Sequence, residues 1–298
     1  MSFQDIRKLN IVIVAGGWSS ERSVSINSGK NVFNSLNNNG YKVKFFDLKK
    51  NNLIELFKSK PDLIFNALHG EFGEDGGISC LAKKYNIPIT HSDDFSSALC
   101  FNKRLLKNFL KKELNIGSPK ELYEINDIKF PLIAKPNADG SSKGVKLIYN
   151  FKELKNFKID KDILIEEKIN GRELTVTVID EKGKIKALGV TEITFDSEHY
   201  DFKAKYTYGK SNHYLPARIS KKNYEYLLNL SKIIFKKCMC RSIARLDFIL
   251  DSKSNQFYFL ELNTHPGLTP ISLAPEQAQY NKISYLSLIE KIIFSSRN

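Results

Sequence analysis

Long apolar segments are absent from this sequence of 298 residues. A helix that spans a bilayer needs roughly 20 consecutive, mostly apolar residues, and no run here approaches that length. The first apolar stretch, residues 11–15, is also too short for the core of a signal peptide and runs directly into two glycines. We therefore expect a cytoplasmic protein with no membrane partner.

Cysteine is scarce as well. The four cysteines are Cys80, Cys100, Cys238 and Cys240. The closest two are separated by one residue and have no second pair at the spacing of a zinc site. In a reducing compartment such cysteines pack as small apolar residues. The sequence therefore predicts buried thiols and no zinc site.

Acidic residues are in deficit, with 33 Asp and Glu against 46 Lys and Arg, which gives a formal net charge of +13. An excess of this size is compatible with a nucleic-acid partner. However, the lysines are scattered in short pairs, such as residues 49–50 and 221–222, and no nucleic-acid-binding motif accompanies them. We interpret the charge as a lysine-rich surface that also suits an anionic nucleotide, and we expect no nucleic-acid partner. A basic nucleotide- or nucleic-acid-binding protein without enzymatic activity stays the alternative.

Apolar and charged residues make up 42% and 27% of the chain, as in a soluble globular protein long enough for two or three small domains. In the first hundred residues, strand-like and helix-like segments alternate, which predicts a parallel sheet with sites at the carboxyl ends of its strands. The expected strands are residues 9–15, 41–47, 63–68 and 87–90, and the expected helices are 25–38, 53–59 and 78–85. Further helices are expected at 101–114, 221–237 and 283–294, a small α+β unit at about 120–178, and a third unit from residue 184.

Residues 245–263 predict a β-hairpin, because two strand-like segments flank a short polar turn. Side chains two positions apart on a strand share a face. Arg245 and Asp247 therefore share one face of the first strand, and Glu261 and Asn263 share one face of the second. Antiparallel pairing would gather two carboxylates, an amide oxygen and a guanidinium, a set that suits Mg²⁺ with substrate phosphates or a developing oxyanion. Taken singly, each carboxylate also fits a solvated strand face.

Three glycine-containing loops follow predicted strands. The first contains Glu21, whose carboxylate can accept a substrate ammonium, and it precedes a helix N-terminus that favours an anion. The second contains His69 at the tip of a strand. The third, residues 137–145, joins two strands and offers backbone N–H groups and hydroxyls to a phosphate, with Lys135 just before it as a point charge. Taken alone, each loop also fits an ordinary turn.

These segments together resemble a known family. In the hairpin, R-L-D-F and E-L-N-T-H-P-G-L-T are similar to the metal-binding end of ATP-grasp ligases, and most of all to that of D-alanine–D-alanine ligases. The loops GG-x-S-x-E-R-x-V-S and A-L-H-G-x-x-G-E-D-G look like the two amino-terminal motifs of that family, and K-P-x-x-x-G-S-S-x-G looks like its phosphate-covering loop. D-F-K-A-K-Y, at residues 201–206, is similar to its omega loop. The motifs occur in family order from residue 16 to residue 272.

The resemblance implies a three-domain ATP-grasp fold of the α/β and α+β classes. Residues 1–98 would form an N-terminal, substrate-binding βα domain with a parallel sheet, and residues 99–180 a central ATP-grasp domain. Residues 181–298 would form a C-terminal ATP-grasp domain with the metal site and the omega loop, and the last two domains would enclose ATP. The family is commonly dimeric, which implies a homodimer.

The resemblance also implies roles for residues around the reacting amino acids. The implied catalytic residues are Glu21, Ser141, Tyr206, Arg245 and Gly267, and the implied substrate-binding residues are Glu21, His69, Ser272 and Leu273. Glu21 would accept the ammonium of the first D-alanine, and Tyr206 would link Glu21 to Ser141. Arg245 and the backbone N–H of Gly267 would stabilise the tetrahedral oxyanion.

For ATP and metal the resemblance implies a larger set. The implied nucleotide-binding residues are Lys103, Lys135, Ser141, Ser142, Glu166, Glu167, Ile169, Glu173 and Lys205. Within this set the lysines would meet the phosphates, residues 166–169 the adenine, and Glu173 the ribose. Asp247, Glu261 and Asn263 would bind two Mg²⁺ ions, for which Mn²⁺ can substitute.

The implied reaction joins two D-alanine molecules for peptidoglycan synthesis. ATP phosphorylates the carboxylate of the first D-alanine, the amine of the second attacks the acyl phosphate, and ADP and phosphate are released. A D-alanine–D-lactate ligase shares most of these motifs and stays the alternative within the same class. Tyr206 argues against it, because family members that make the ester usually differ at this position.

Overall fold

Three sheets, each formed by one continuous stretch of the chain, make up the framework of the molecule. The computed structural model describes residues 6–122, 128–141, 144–158, 160–195 and 211–296. The sheets are formed by residues 11–66, 132–167 and 171–263. In this described part of the chain, no helix combines the length and the apolar character needed to cross a membrane.

The first sheet is parallel and has helices between its strands. Its strands are β1 (Ile11–Gly16), β2 (Val43–Leu48) and β3 (Leu63–Asn66), in the order β2-β1-β3. Its helices are α1 (Arg22–Asn37), α2 (Leu53–Lys58), which follows a 3₁₀ turn at Lys50–Asn52, and α3 (Gly77–Lys84). Every residue of β1 is buried, as expected for the central strand of a covered parallel sheet. The predicted βα alternation is confirmed.

The strand expected at residues 87–90 is reduced to a single bridge beside β3. Pro88 has no N–H to contribute to a ladder. Only the Pro88 carbonyl and the Thr90 N–H bond to the backbone of Ile64, at 2.9 and 3.0 Å. The next donor along β3, the N–H of Asn66, bonds to the Thr90 hydroxyl at 2.9 Å and not to a carbonyl. The prediction of a fourth strand is therefore wrong.

The helix expected at residues 101–114 begins at residue 103, and a separate helix that was not predicted ends at residue 101. The two helices are α4 (Asp94–Phe101) and α5 (Lys103–Leu114). Asn102 separates them, with φ −88° and ψ 98°, and its side chain accepts a hydrogen bond from the N–H of Leu105 at 3.0 Å. Asparagine is a preferred N-cap because it satisfies a free N–H of the first turn. The break makes Lys103 the first residue of α5.

The second sheet is small and antiparallel. Its elements are β4 (Leu132–Pro136), β5 (Lys146–Ile148), α6 (Phe151–Asn156) and β6 (Ile163–Glu167), and its strand order is β5-β4-β6. The loop between β4 and β5 joins two strands, as predicted. The register sets Lys135 opposite Leu164 and Ile133 opposite Glu166. Lys135 and Glu166 are therefore diagonal neighbours on one face of the sheet.

The third sheet is antiparallel and has the strand order β11-β10-β7-β8-β9. Its strands are β7 (Gly171–Glu181), β8 (Lys184–Phe195), β9 (Ser211–Tyr214), β10 (Ile243–Asp251) and β11 (Phe257–Asn263). The helices that follow its strands are α7 (Lys221–Lys237), α8 (Leu273–Tyr280) and α9 (Tyr285–Ser295). A domain boundary at residue 180 would separate β7 from β8, although the two strands pair in one sheet. We propose instead that the second boundary lies between residues 167 and 171, which keeps each sheet intact.

Two large apolar cores lie against the third sheet. One combines side chains of β1 and β3 with side chains of α8 and α9, among them Phe65 and Ile289. The other combines α4, α5 and α7 with β7, β10 and β11, among them Leu106, Phe235 and Phe248. Because α8 and α9 also pack on the third sheet, the first and third sheets share a continuous packed interior.

The prediction of buried thiols is confirmed for three of the four cysteines. Cys100, Cys238 and Cys240 are buried in the second of these cores. Cys80 is exposed, so the prediction is wrong there. It is the fourth residue of α3 and faces the solvent side of that helix, whereas the neighbouring Ile78 and Ser79 face inward.

A buried glutamine fixes α8 against the third sheet. Gln277 is fully buried, and its side-chain oxygen accepts the N–H of Thr177 at 2.7 Å. Its side-chain nitrogen donates to the carbonyl of Thr175 at 3.1 Å and to the hydroxyl of Thr191 at 2.9 Å. The pairing of β7 with β8 shifts register between Val176 and Val178, which leaves Thr177 opposite no residue of β8. Gln277 therefore supplies the acceptor that the ladder does not.

The Gln277→Met variant is expected to lower the free energy of unfolding by roughly 2–4 kcal/mol, because it leaves a buried N–H and a buried carbonyl without partners. Gln279→Met makes the same chemical change on the exposed side of the same helix. This control is expected to change the stability by less than about 0.5 kcal/mol. Denaturant unfolding of the two variants measures the difference, and equal stability would contradict the bridging role of Gln277.

Candidate active site

The predicted hairpin is present as β10 and β11. The two strands pair antiparallel, and their register sets Arg245 opposite Asn263 and Asp247 opposite Glu261. A β-bulge follows Asp247. Bulges are common beside active sites because they redirect side chains. The four side chains expected to converge therefore lie on one face of the third sheet.

Arg245 and Asp247 form a bidentate ion pair. The guanidinium donates from Nε to Asp247 Oδ1 at 3.0 Å and from Nη2 to Oδ2 at 2.8 Å. The hydroxyl of Thr175 donates to the same Oδ1 at 2.6 Å. Arg245 Nη2 also lies 3.8 Å from Glu261 Oε1, and Lys103 Nζ lies 3.4 Å from Glu261 Oε2. Two cations thus offset the charges of two neighbouring carboxylates.

Asn263 is held by the segment that follows it. Its side-chain oxygen accepts the N–H of His265 at 2.6 Å. The buried ring of His265 places Nε2 at 2.9 Å from Asn66 Nδ2, so this nitrogen accepts and the ring is neutral. Burial and the neighbouring His91, which stacks on this ring, lower the pKa of His265. Burial also lowers the pKa of His91, to about 3. Asn263 is therefore tied to β3 through a neutral, buried hydrogen-bond network.

Two adjoining cavities open beside the hairpin. The larger has a volume of about 170 Å³ and the smaller a volume of about 50 Å³. They share the lining residues Lys103, Asp139, Gly140, Arg245, Glu261 and Gly267. The larger cavity continues over apolar residues such as Ile133, Val145 and Ile271. The smaller cavity continues over the charged side chains of Glu21 and Glu74.

Most of the residues predicted from the sequence line one of these cavities. Those in the larger are Lys103, Lys135, Glu173, Arg245, Asp247, Glu261, Gly267, Ser272 and Leu273. Those in the smaller are Glu21, His69, Lys103, Ser141, Arg245, Glu261, Asn263 and Gly267. Of the predicted nucleotide-binding residues that the structure describes, Glu166, Glu167 and Ile169 line neither cavity. Ser142, Lys205 and Tyr206 lie outside the described residues.

Glu21 is buried at the end of the smaller cavity. Its Oε1 accepts a hydrogen bond from the hydroxyl of Ser141, and its buried Oε2 has no partner among the residues that the structure describes. A Cβ at Gly140 would lie 2.6 Å from that Oε2, so only glycine leaves the space beside it. Burial raises the pKa of Glu21, and the carboxylate of Glu74 raises it further. A buried carboxylate oxygen of this kind suits the cationic group of a ligand.

The buried ring of His69 contacts Glu74 and Ser28. Its Nδ1 is 3.1 Å from Glu74 Oε1, and its Nε2 is 3.3 Å from the hydroxyl oxygen of Ser28. Burial lowers the pKa of His69, but the carboxylates of Glu74 and Glu21 outweigh burial, and the net shift is upward. A protonated His69 would therefore balance part of the negative charge in the smaller cavity.

A buried trio of charges lies behind the larger cavity, and sequence reasoning missed one of its members. Glu166 Oε1 accepts a hydrogen bond from Lys107 Nζ, and Glu166 Oε2 lies 2.8 Å from Lys135 Nζ. The side chains of Lys107, Glu166 and Lys135 are only 7%, 3% and 14% exposed. Lys107 follows Lys103 by four residues, which puts both on one face of α5. That spacing is the signal by which Lys107 could have been found.

The chain also matches a family model. Residues 107–294, more than half of the chain, match the model described as D-ala D-ala ligase C-terminus. The chain belongs to the D-alanine–D-alanine ligase family. Among its curated relatives, the D-alanine–D-alanine ligase of Rickettsia canadensis is 41% identical in a match that covers 96% of this chain and 83% of the relative.

Solved structures agree with this family. The D-alanine–D-alanine ligase of Bacillus anthracis, complexed with ATP, is similar with a TM-score of 0.79 and 32% identity, and the match covers 96% of both chains. The D-Ala:D-Ser ligase VanG of Enterococcus faecalis has the same TM-score at 26% identity, over 96% of this chain and 98% of that one. The family resemblance and the α/β and α+β ATP-grasp fold predicted from the sequence are confirmed.

The Glu74→Gln variant is expected to lower the pKa of His69, because burial is then opposed mainly by Glu21. An NMR titration of the His69 ring should give a pKa above 6.5 in the wild type and a lower value in the variant. A histidine with a raised pKa adds stability that is complete below about pH 6.5 and is lost as the pH rises through the folded pKa. The difference in stability between the wild type and Glu74→Gln should therefore decrease as the pH rises from about 6.5 through the pKa of His69 in the folded wild type.

Glu71→Gln is the matched control for this titration, because Glu71 is an exposed residue of the same loop. It is expected to leave the His69 titration as in the wild type. An unchanged His69 pKa in the Glu74→Gln variant would show that the contact with Glu74 does not determine the charge of the ring.

Proposed function

We propose that this protein joins two D-alanine molecules to D-alanyl-D-alanine and converts ATP to ADP and phosphate. The proposal depends on one observation: two cavities of different character share one set of charged lining residues. The larger cavity has apolar walls and lysines, whereas the smaller is acidic, and Arg245 and Glu261 line both. A nucleotide phosphate and an amino-acid carboxylate can therefore meet there.

The larger cavity suits ATP. Its apolar walls suit a purine base, since small-molecule sites are mostly apolar with a few well-placed polar groups. Lys103 and Lys135 offer ammonium groups to the phosphates, and Glu173 offers a carboxylate to the ribose hydroxyls. The ligase of Bacillus anthracis that shares this fold is complexed with ATP, which supports the same nucleotide here.

The hairpin offers a donor set that suits Mg²⁺. Asp247, Glu261 and Asn263 present only oxygen donors, and the register sets the two carboxylates opposite each other. Among the described residues no group of three or more His, Cys, Asp or Glu could hold a metal ion. A magnesium site needs few carboxylates when substrate phosphates complete the coordination. When bound, Mg²⁺ or Mn²⁺ ions, two by family resemblance, would neutralise charge on the transferring phosphate.

The smaller cavity suits the first D-alanine. Glu21 can accept the ammonium of this D-alanine through Oε2, which has no partner among the described residues. The carboxylate of the D-alanine would then lie toward Arg245. That carboxylate attacks the terminal phosphorus of ATP, and the bond from this phosphorus to ADP breaks. Ser272, with Leu273 beside it, would hold the carboxylate of the second D-alanine. The amine of this D-alanine then attacks the acyl carbon, and phosphate and a proton are released. Arg245 and the backbone N–H of Gly267 stabilise the oxyanion formed in that attack.

We further propose a cytoplasmic homodimer that acts on small molecules and supplies the dipeptide for peptidoglycan synthesis. Family membership supports this setting. The scattered lysines support a general surface charge over a nucleic-acid site, so no nucleic-acid partner is expected.

Phosphate release by the purified protein tests the proposed function. The protein is given ATP and Mg²⁺ with each of D-alanine, D-serine, D-lactate and L-alanine, and the products are separated. Release that requires D-alanine and yields the dipeptide is expected. Release that does not depend on D-alanine would overturn the proposal. Tight, salt-sensitive binding of a mixed-sequence duplex without ligase activity would favour the nucleic-acid alternative.

The Glu261→Gln variant is expected to lose nearly all turnover while it stays folded. The loss of one negative charge from the proposed donor set would weaken the binding of Mg²⁺. Turnover is measured over a range of Mg²⁺ concentrations, and thermal unfolding is followed in parallel. Glu225→Gln, an exposed change on α7, is the control and should behave as the wild type. Wild-type turnover of Glu261→Gln at ordinary Mg²⁺ would remove the metal assignment.

A further inference from the structure

The buried trio behind the larger cavity has two cations and one anion. Lys107 comes from α5, Lys135 from β4 and Glu166 from β6. Each oxygen of the Glu166 carboxylate is engaged by a different lysine. We propose that Lys107 is a positioning residue for the nucleotide, because it neutralises Glu166 and so leaves the Lys135 ammonium available to the ATP phosphates. This inference rests on the proposed ATP-dependent function.

Only one member of the trio lines the larger cavity. Lys135 lines the larger cavity, whereas Lys107 and Glu166 are not among its lining residues. With side chains 7% and 3% exposed, Lys107 and Glu166 lie behind the wall of the cavity. Lys107 therefore acts on the nucleotide without touching it, through its contacts with Glu166 and Lys135.

The direction of that effect follows from the charges. A carboxylate 2.8 Å from the Lys135 ammonium competes with an incoming phosphate for the same cation. Interactions of this kind are strong in a buried setting, where water screens them little. Without Lys107, Lys135 alone would offset the negative charge of Glu166, and this pair would have no net charge. With Lys107 the trio carries a net positive charge and still attracts an anion.

The protonation of Lys107 gives a second signature. The charged groups that face it are Glu166 of β6 and Lys135 of β4, and behind them Lys103 of its own helix pairs with Glu261 of β11. Burial, and then Lys135, lower the pKa of Lys107 to about 7 although Glu166 opposes the shift. Phosphates that arrive at Lys135 favour the charged form of Lys107. ATP binding should therefore take up protons near neutral pH, and the affinity should fall as the pH rises above 7.

Calorimetric titration of ATP with Mg²⁺ tests the inference in four proteins: wild type, Lys107→Met, Lys107→Arg and Lys111→Met. The titrations cover about pH 6 to 9, because the pKa of Lys107 is about 7. Two buffers of different ionisation enthalpy are used, so that both the affinity for ATP and the number of protons taken up are obtained. Lys111→Met is the matched control, an exposed lysine one turn further along α5. Thermal unfolding verifies that each variant is folded.

The wild type and Lys111→Met are expected to bind alike and to take up protons. Lys107→Met should bind ATP at least about tenfold more weakly, without that uptake. Lys107→Arg should bind ATP nearly as tightly as the wild type but without proton uptake, because the charge of an arginine is permanent. Wild-type affinity and uptake in Lys107→Met would overturn the inference. If Lys107→Met does not fold, proton uptake by Lys107→Arg equal to that of the wild type would overturn it. A wild type that does not bind ATP would instead overturn the proposed function.

Discussion

The pairing register of β10 with β11 is the constraint on which the rest of the site depends. It sets Asp247 opposite Glu261 and Arg245 opposite Asn263. A slip of one residue would turn the side chains of one strand to the other face of the sheet. The carboxylates would then lose both Lys103 and the wall of the two cavities. The chemistry proposed for this chain is therefore a property of strand register first and of residue identity second.

Packing on both sides of the hairpin holds that register. β10 also pairs along its whole length with β7, and Phe248 and Phe259 are buried in the core beneath α5 and α7. From the other direction, Asn66 of β3 holds the segment after β11 through His265. A site that is fixed by strands and buried hydrogen bonds keeps its geometry before a ligand arrives, which is the condition for preorganised catalysis.

The sequence predicted what depends on local pattern. Alternation along residues 245–263 was enough to predict the hairpin and the four side chains that converge on it. Family resemblance added further residues that line the two cavities, among them Lys103 and Ser272. What was missed or wrong depends on contacts distant in sequence or on single backbone groups: Lys107 meets Glu166 across 59 positions, Asn66 meets His265 across 199, and Asn102 ends one helix and begins the next. Periodicity over a short window contains no information about such contacts.

The charge balance of the site differs in kind from that of the whole chain. The overall excess of +13 belongs largely to scattered lysines, whereas the site gathers its charges in contact with one another. The charges at the larger cavity and behind it are those of Lys103, Lys107, Lys135, Arg245, Asp139, Glu166, Glu173, Asp247 and Glu261. Asp247 and Glu261 are already paired with Arg245 and Lys103. If metal cations from solution bound these carboxylates, Arg245 and Lys103 would be released and could pair with an anion. The site can thus exchange partners on binding a metal nucleotide without leaving a buried charge uncompensated, which is the costly state in a protein interior.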